Sequence, residues 1–172
     1  TRNEDPKSAS RPFDKDRDGF VLGEGAGFLL LETEASAKAA GRTPLAALSG
    51  YGTSCNAWRL TDSPPDGRGA AQAMFQALET ANITPQEVGY INAHGTSTGM
   101  NDPSEAAGIN RVFGPSNSAP AVSSSKSMMG HLVAACGAVE ALVCLEVVRQ
   151  GKIPPTLNLD SPDPRCDLNH VV

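Results

Sequence analysis

The chain has 172 residues, 40% of them hydrophobic, and a net charge of −5, which bounds it to one domain or part of one with a sizeable core. The acidic balance excludes a nucleic-acid binder, and no run of Lys or Arg marks a membrane-surface patch. No signal peptide is visible, and no apolar stretch reaches the ~18 residues of a spanning helix.

The first residues, rich in charge and proline and lacking an initiator methionine, read as the interior of a longer or processed protein. Residues 20–31 are apolar with interspersed glycines and predict a strand. Residues 33–40 predict a short helix with Thr33 as its N-cap and Gly41 as its stop. A second strand is expected over 45–53, followed by a proline-bearing loop over 56–67. Residues 68–81 form an amphipathic helix with Ala71, Met74, Phe75 and Leu78 on one face. After a turn at Thr84-Pro85, residues 88–93 predict a strand. Asp102-Pro103-Ser104-Glu105 reads as a helix start, with Asp102 as N-cap, Pro103 at the first helical position and Glu105 completing a capping box. That helix ends near Phe113-Gly114, a strand follows over 119–123, and 132–148 predicts a buried helix broken only by Glu140 and Glu146. Strand then helix, three times with short connections, implies an α/β fold around a parallel sheet.

Two of the three histidines stand in matched settings. His94 follows the apolar run at 88–93, and His131 follows the strand at 119–123 through a serine-rich loop. Both belong beyond the carboxyl ends of strands, where open α/β sheets build their sites. With Lys126 nearby, a shared pocket is the better reading than two unrelated loop histidines. His170, near the end, is expected to be exposed. Glu140 is the telling carboxylate, because a charge midway along an apolar helix is costly unless paired. On a helix beginning near His131 the two side chains point to opposite sides. Lys126 reaches Glu140 only if its loop runs back along the helix.

Other signals are weaker. Asp14-x-Asp16-x-Asp18-Gly19 imitates a calcium loop but has Gly25 where the bidentate Glu belongs, so it reads as a solvated turn feeding a strand. Ser123-x-x-Lys126 has the spacing of serine–lysine acyltransferases without their companion motifs. Cys55, Cys136, Cys144 and Cys166 show no C-x-x-C spacing and read as free thiols of a reducing compartment. No helical pair of histidines or paired thiolates suggests a metal, and no metal or cofactor is expected.

Together these segments resemble the carboxyl-terminal half of β-ketoacyl-acyl-carrier-protein synthases, condensing enzymes of the thiolase superfamily. The resemblance rests on Arg11-Pro12-Phe13-Asp14-x-x-Arg17-Asp18-Gly19-Phe20-Val21, Gly23-Glu24-Gly25-Ala26-Gly27, Asn92-Ala93-His94-Gly95-Thr96-Ser97-Thr98, Ser124-Ser125-Lys126-Ser127-Met128, Gly130-His131-Leu132 and Ile153-Pro154-Pro155-Thr156-Leu157-Asn158. It implies a thiolase-like αβαβα layered fold. Residues 1–41 would finish the amino-terminal half, and 42–172 would form a carboxyl-terminal half lacking its last strands. It also implies decarboxylative Claisen condensation of an acyl-enzyme with malonyl-acyl-carrier protein, closest to the type II enzymes of fatty acid elongation. By that resemblance His94 and His131 assist decarboxylation and Lys126 belongs to their network. Glu140 and Asp102 support it, and Thr96 and Thr98 contact the pantetheine arm.

The implied partners are acyl carrier protein, an amino-terminal half carrying the nucleophilic Cys, and a second copy in a homodimer. The expected location is the cytoplasm, or an organelle's stroma or matrix in a eukaryote. None of the four cysteines sits in the family's nucleophile elbow, and Cys136 stands where the family usually has a small residue, so it is expected to be core. Gly99-Met100 departs from the commoner Pro-Leu. A polyketide synthase ketosynthase domain and a non-catalytic partner subunit like the chain-length factors remain alternatives. Ser97 and Ser127-Met128 lean toward the fatty acid branch, and retention of both histidines and Lys126 disfavours the non-catalytic reading. The chain by itself is expected to be inactive and prone to aggregate.

Overall fold

A computed structural model describes residues 2–172. The helices are α1 (Glu34–Ala39), α2 (Arg68–Ala81), α3 (Asn101–Phe113), the one-turn α4 (Lys126–Met129) and α5 (Cys136–Gln150); the strands are β1 (Tyr90–Asn92) and β2 (Ala121–Ser123). β1 and β2 pair in parallel, with Tyr90 opposite Ala121 and Asn92 opposite Ser123, and α3 makes the crossover between them. The predicted α/β character and parallel pairing hold, on strands shorter than the apolar runs that signalled them.

The start signals of α1 work as local chemistry dictates. Thr33 accepts the Ser36 N–H at 3.2 Å, and Gly41 takes φ +65° just beyond the last turn. α2 closes on Asn82 at φ +55° and buries Ala71 and Leu78, while Phe75 stays exposed. α2 lies against α3. The main core joins Ala106 and Ile109 of α3 to Ala93, Val122, Phe13 and the carboxyl-terminal Leu159, Cys166 and Leu168.

Two predicted strands are absent among the described residues. The segments 20–31 and 45–53 carry no ladder, only a single bridge between Leu22 and His131. Both pack on helices instead. Gly27 lies close against Ala138 of α5, and Tyr51 N–H donates to Thr80 Oγ1 of α2 at 2.9 Å. Their apolar side chains remain open, with Phe28 90% and Leu30 91% exposed. An apolar run signals a strand, but a ladder needs a neighbour for its N–H and C=O groups, and among the described residues only the bridge at His131 supplies one.

The predicted helix over 132–148 is also divided. A 3-10 turn at Val133–Ala135 precedes α5, which begins at Cys136. Of α5's residues only Cys136 is fully buried, so the helix is a partly covered surface and not an enclosed one. Among the described residues no helix is long and apolar enough to cross a membrane.

Candidate active site

His94 sits two residues beyond β1 in a turn that the chain fixes tightly. Ala93 N–H donates to Ser123 O at 2.8 Å, extending the strand pairing to the edge of the site. The next two N–H groups, of His94 and Gly95, donate to the two carboxylate oxygens of Glu105 at 2.7 and 2.8 Å. Gly95 has φ +38°, and a Cβ there would lie 2.5 Å from Ser124 Cβ, so no other residue fits without moving the serine loop.

His131 is held by a different set of contacts. Gly130, at φ +73°, turns the chain after α4, and His131 then bridges to the 20–31 segment. His131 N–H donates to Val21 O at 2.7 Å and His131 O accepts from Gly23 N–H. A Cβ on Gly23 would lie 2.2 Å from Met129 O, so the close approach requires glycine. The Phe20 ring stands edge-on to the imidazole at 5.5 Å.

The two imidazoles converge. Their ring centroids lie 5.2 Å apart with planes at 88°. His131 Nδ1 accepts the Val133 N–H at 3.0 Å, so in the neutral ring the proton resides on Nε2, which is then a donor. His94 keeps solvent access, yet partial burial of its ring, then Lys126, then His131, pull its pKa from 6.5 down to about 4. His131 is lowered for the same reasons, burial first and then Lys126, with Glu140 opposing. Both rings are therefore neutral at physiological pH.

Lys126 is 1% exposed and forms an ion pair with Glu140 Oε1. The loop does run back along α5, as the pairing of this buried charge demanded. Because α5 starts at Cys136 and not at His131, the premise of one continuous helix fails while the Lys126–Glu140 partnership stands. The serine–lysine dyad does not form. Ser123 Oγ bonds the Tyr90 hydroxyl at 2.9 Å, and Ser124 Oγ donates to Gly95 O at 2.8 Å.

Asp102 is not an N-cap. It lies at the second position of α3, is fully buried, and accepts from Phe13 N–H at 2.9 Å and Ser97 N–H at 3.2 Å. Arg17 Nε stands 3.7 Å away and donates to Thr98 O at 2.8 Å. The carboxylate therefore ties the 10–17 segment to the turn after His94. Long-range N–H donors have claimed an acid that local capping rules assign to its own helix. Thr96 and Thr98 lie on that turn with their hydroxyls 2.9 Å apart.

Glu105, read from sequence only as a capping-box acid, is a backbone holder of His94. Its partner N–H groups lie eleven and ten residues upstream, and no local pattern points to them. Burial raises its pKa, with those same N–H bonds pulling the other way. A cavity of about 250 Å³ borders Glu105 and His94, lined also by Ser54, Asn56, Asn101 and Ser104.

Two further expectations are corrected. Asp14 is not solvated but fully buried, accepting from Arg11, Asp16, Asp160 and Ser161. His170 is half-buried against Phe13, with Nε2 2.8 Å from Cys166 O. Cys136 is buried, as its core reading expects, and its sulfur also lies 3.2 Å from His131 Nδ1.

Comparison with known proteins agrees with this geometry. The family model for the β-ketoacyl synthase C-terminal domain matches residues 45–160, and that for the β-ketoacyl synthase N-terminal domain matches residues 1–37. The chain is 49% identical over 170 residues to a 3-oxoacyl-[acyl-carrier-protein] synthase 2 of Synechocystis, covering 99% of this chain and 41% of that protein. It is 46% identical to the oxytetracycline polyketide β-ketoacyl synthase 1 of Streptomyces rimosus, with 99% and 40% covered. It superposes with TM-score 0.92, at 40% identity, on a ketosynthase solved with its type II polyketide acyl-carrier protein and bound to the hexaketide, covering 99% of this chain and 41% of that one. The chain thus spans about 41% of the length of these relatives, and its fold is the incomplete thiolase-like α/β architecture of the ketosynthases. On its sequence, its fold and its two family-model matches, the chain belongs to the β-ketoacyl synthase family.

Proposed function

We propose that this chain is the carboxyl-terminal part of a β-ketoacyl-acyl-carrier-protein synthase of fatty acid elongation. Residues 1–41 would complete an amino-terminal half and 42–172 most of the second. The observation that carries the reading is the convergence of two neutral imidazoles, His94 and His131, at 5.2 Å, with His131 Nε2–H left free to donate. Loss of CO2 from a malonyl thioester leaves its bonding electron pair on the α-carbon as an enolate, with the charge on the thioester oxygen. Two fixed N–H donors aimed at that oxygen stabilise the charge as it develops. The enolate carbon then attacks an acyl thioester on a Cys, forming the C–C bond and expelling the Cys thiolate.

The nucleophile would come from outside this chain. Burial pushes the Cys166 thiol up to about 12 and raises Cys144 as well, which makes both poor nucleophiles. Cys136 lies against His131, and its buried sulfur already accepts a backbone N–H. Lys126 and Glu140 would hold the site's electrostatics, Asp102 and Glu105 its turn, and Thr96 and Thr98 would meet the pantetheine arm. Malonyl- and acyl-loaded acyl carrier protein are the proposed partners, with a second copy in a homodimer. The four free cysteines fit a reducing compartment such as the cytoplasm.

The second reading, a polyketide ketosynthase, is favoured by the 46% identity to the Streptomyces rimosus relative. Malonyl-carrier decarboxylation by the complete protein, with His94→Ala and His131→Ala, tests the roles. Both substitutions should slow CO2 release, and unchanged rates in both would remove the proposal. Competing short acyl- and polyketide-loaded carriers then separates the two readings.

A further inference from the structure

His131 is held from its Nδ1 side by more than backbone. That nitrogen accepts the Val133 N–H at 3.0 Å and lies 3.2 Å from Cys136 Sγ. The sulfur in turn accepts the Leu132 N–H at 3.1 Å. These contacts close a ring that runs from the imidazole through the first residue of α5 and back to the residue after His131. Val133 holds φ +53°, a strained value for a β-branched residue.

The direction of the sulfur contact follows from the first bond. Because a backbone N–H already points at Nδ1, this nitrogen presents a lone pair and not a proton. The sulfur can then act only as the donor, S–H to N, sharing the single Nδ1 lone pair with the Val133 N–H. Cys136 is 5% exposed, so its thiol has no water to turn to. A thiol is a weak donor, but here it is fixed by the helix start and by the N–H it accepts.

We propose that Cys136 is a positioning residue for His131, its S–H acting as a second donor to Nδ1 that fixes the ring plane and keeps the Nε2–H tautomer. The proposal rests on the catalytic reading of His131 given above. Its effect is exerted through the ring, at the nitrogen opposite the one that would face the thioester oxygen. An alanine at 136 leaves Nδ1 with one donor and opens space beside it into which the ring can rotate. A serine keeps a donor of similar reach.

The test uses the complete protein labelled with ¹⁵N-histidine, His131 being assigned by its loss in His131→Gln. In Cys136→Ala the His131 Nδ1 resonance should move, with a share of the Nδ1–H tautomer appearing, while the His94 and His170 resonances stay in place and report an intact fold. Malonyl-carrier decarboxylation should lose about fivefold in kcat with KM unchanged, the order expected for one weak hydrogen bond. Cys136→Ser should restore both the resonance and most of kcat. An unmoved Nδ1 resonance in Cys136→Ala, or a Cys136→Ser protein no better than the alanine variant, overturns the proposal. Should His131→Gln decarboxylate at the normal rate, the catalytic reading of His131 falls. The nitrogen resonance still decides whether Cys136 holds the ring.

Discussion

Glu140→Leu leaves the Lys126 ammonium buried without its carboxylate, and the structure sets the size of the loss. The Lys126 side chain is 1% exposed and that of Glu140 15%, so little water can replace the lost partner. Breaking a buried pair by removing one member costs ~3–5 kcal/mol. Residual solvent access at position 140 places the loss near the lower end, ~3 kcal/mol. In urea the unfolding midpoint of the complete protein should fall by this loss divided by its unfolding slope. Lys126→Met strands Glu140 and should cost somewhat less, because that carboxylate can reach water. The double variant Lys126→Met/Glu140→Leu leaves no unpaired charge and should recover most of the stability, giving strongly non-additive losses. Losses below ~1 kcal/mol in both single variants, or simple addition in the double, would refute the view that this pair is mutually obligatory.

Other consequences are as specific. Glu105→Leu removes the acceptor of two N–H groups and should cost ~1–3 kcal/mol for each one left unsatisfied, with decarboxylation falling as the His94 turn loosens; Glu105→Gln, which keeps one acceptor oxygen, should lose less by both urea unfolding and rate. Gly23→Ala should push the 20–31 segment away from Met129 O, breaking its bridge to His131 and lowering kcat by up to ~100-fold for a shift near 1 Å, without a matching change in carrier-protein affinity measured by titration. The pH dependence of folding follows from His94. Its folded pKa of about 4 lies below the unfolded value of ~6.5, so the unfolded chain binds more protons between these limits. Stability from this site is therefore full above pH 6.5 and is lost as the pH falls toward 4. Urea titrations of His94→Asn should show a flatter slope across that window, and an unchanged slope would contradict the depressed value.

Much of the fold was legible because its signals are local. The bounds of α2, the Thr33 cap and the parallel pairing of β1 with β2 follow from apolar spacing and capping chemistry within a few residues. What was not legible depends on partners distant in sequence. Asp102 carries every mark of an N-cap, yet Phe13 N–H from eighty-nine residues upstream claims its carboxylate. The 20–31 segment is apolar like a strand but finds no ladder, because α4, His131 and α5 occupy its flank. In the site, the convergence of His94 and His131 and the need of Glu140 for a cation were foreseeable from strand ends and a buried charge. The part played by Cys136 was not, since an apolar helix position gives no hint of the histidine five residues before it.

The central claim is that His94 and His131 act as one unit on a developing enolate oxygen. Its most direct test is CO2 release from malonyl-acyl-carrier protein by the complete protein in a His94→Ala, His131→Ala and double-variant cycle. Each single substitution should slow decarboxylation ~10²–10³-fold, and the double should be far less impaired than the product of the two. Unchanged release in either single variant, or fully multiplicative losses in the double, would contradict it.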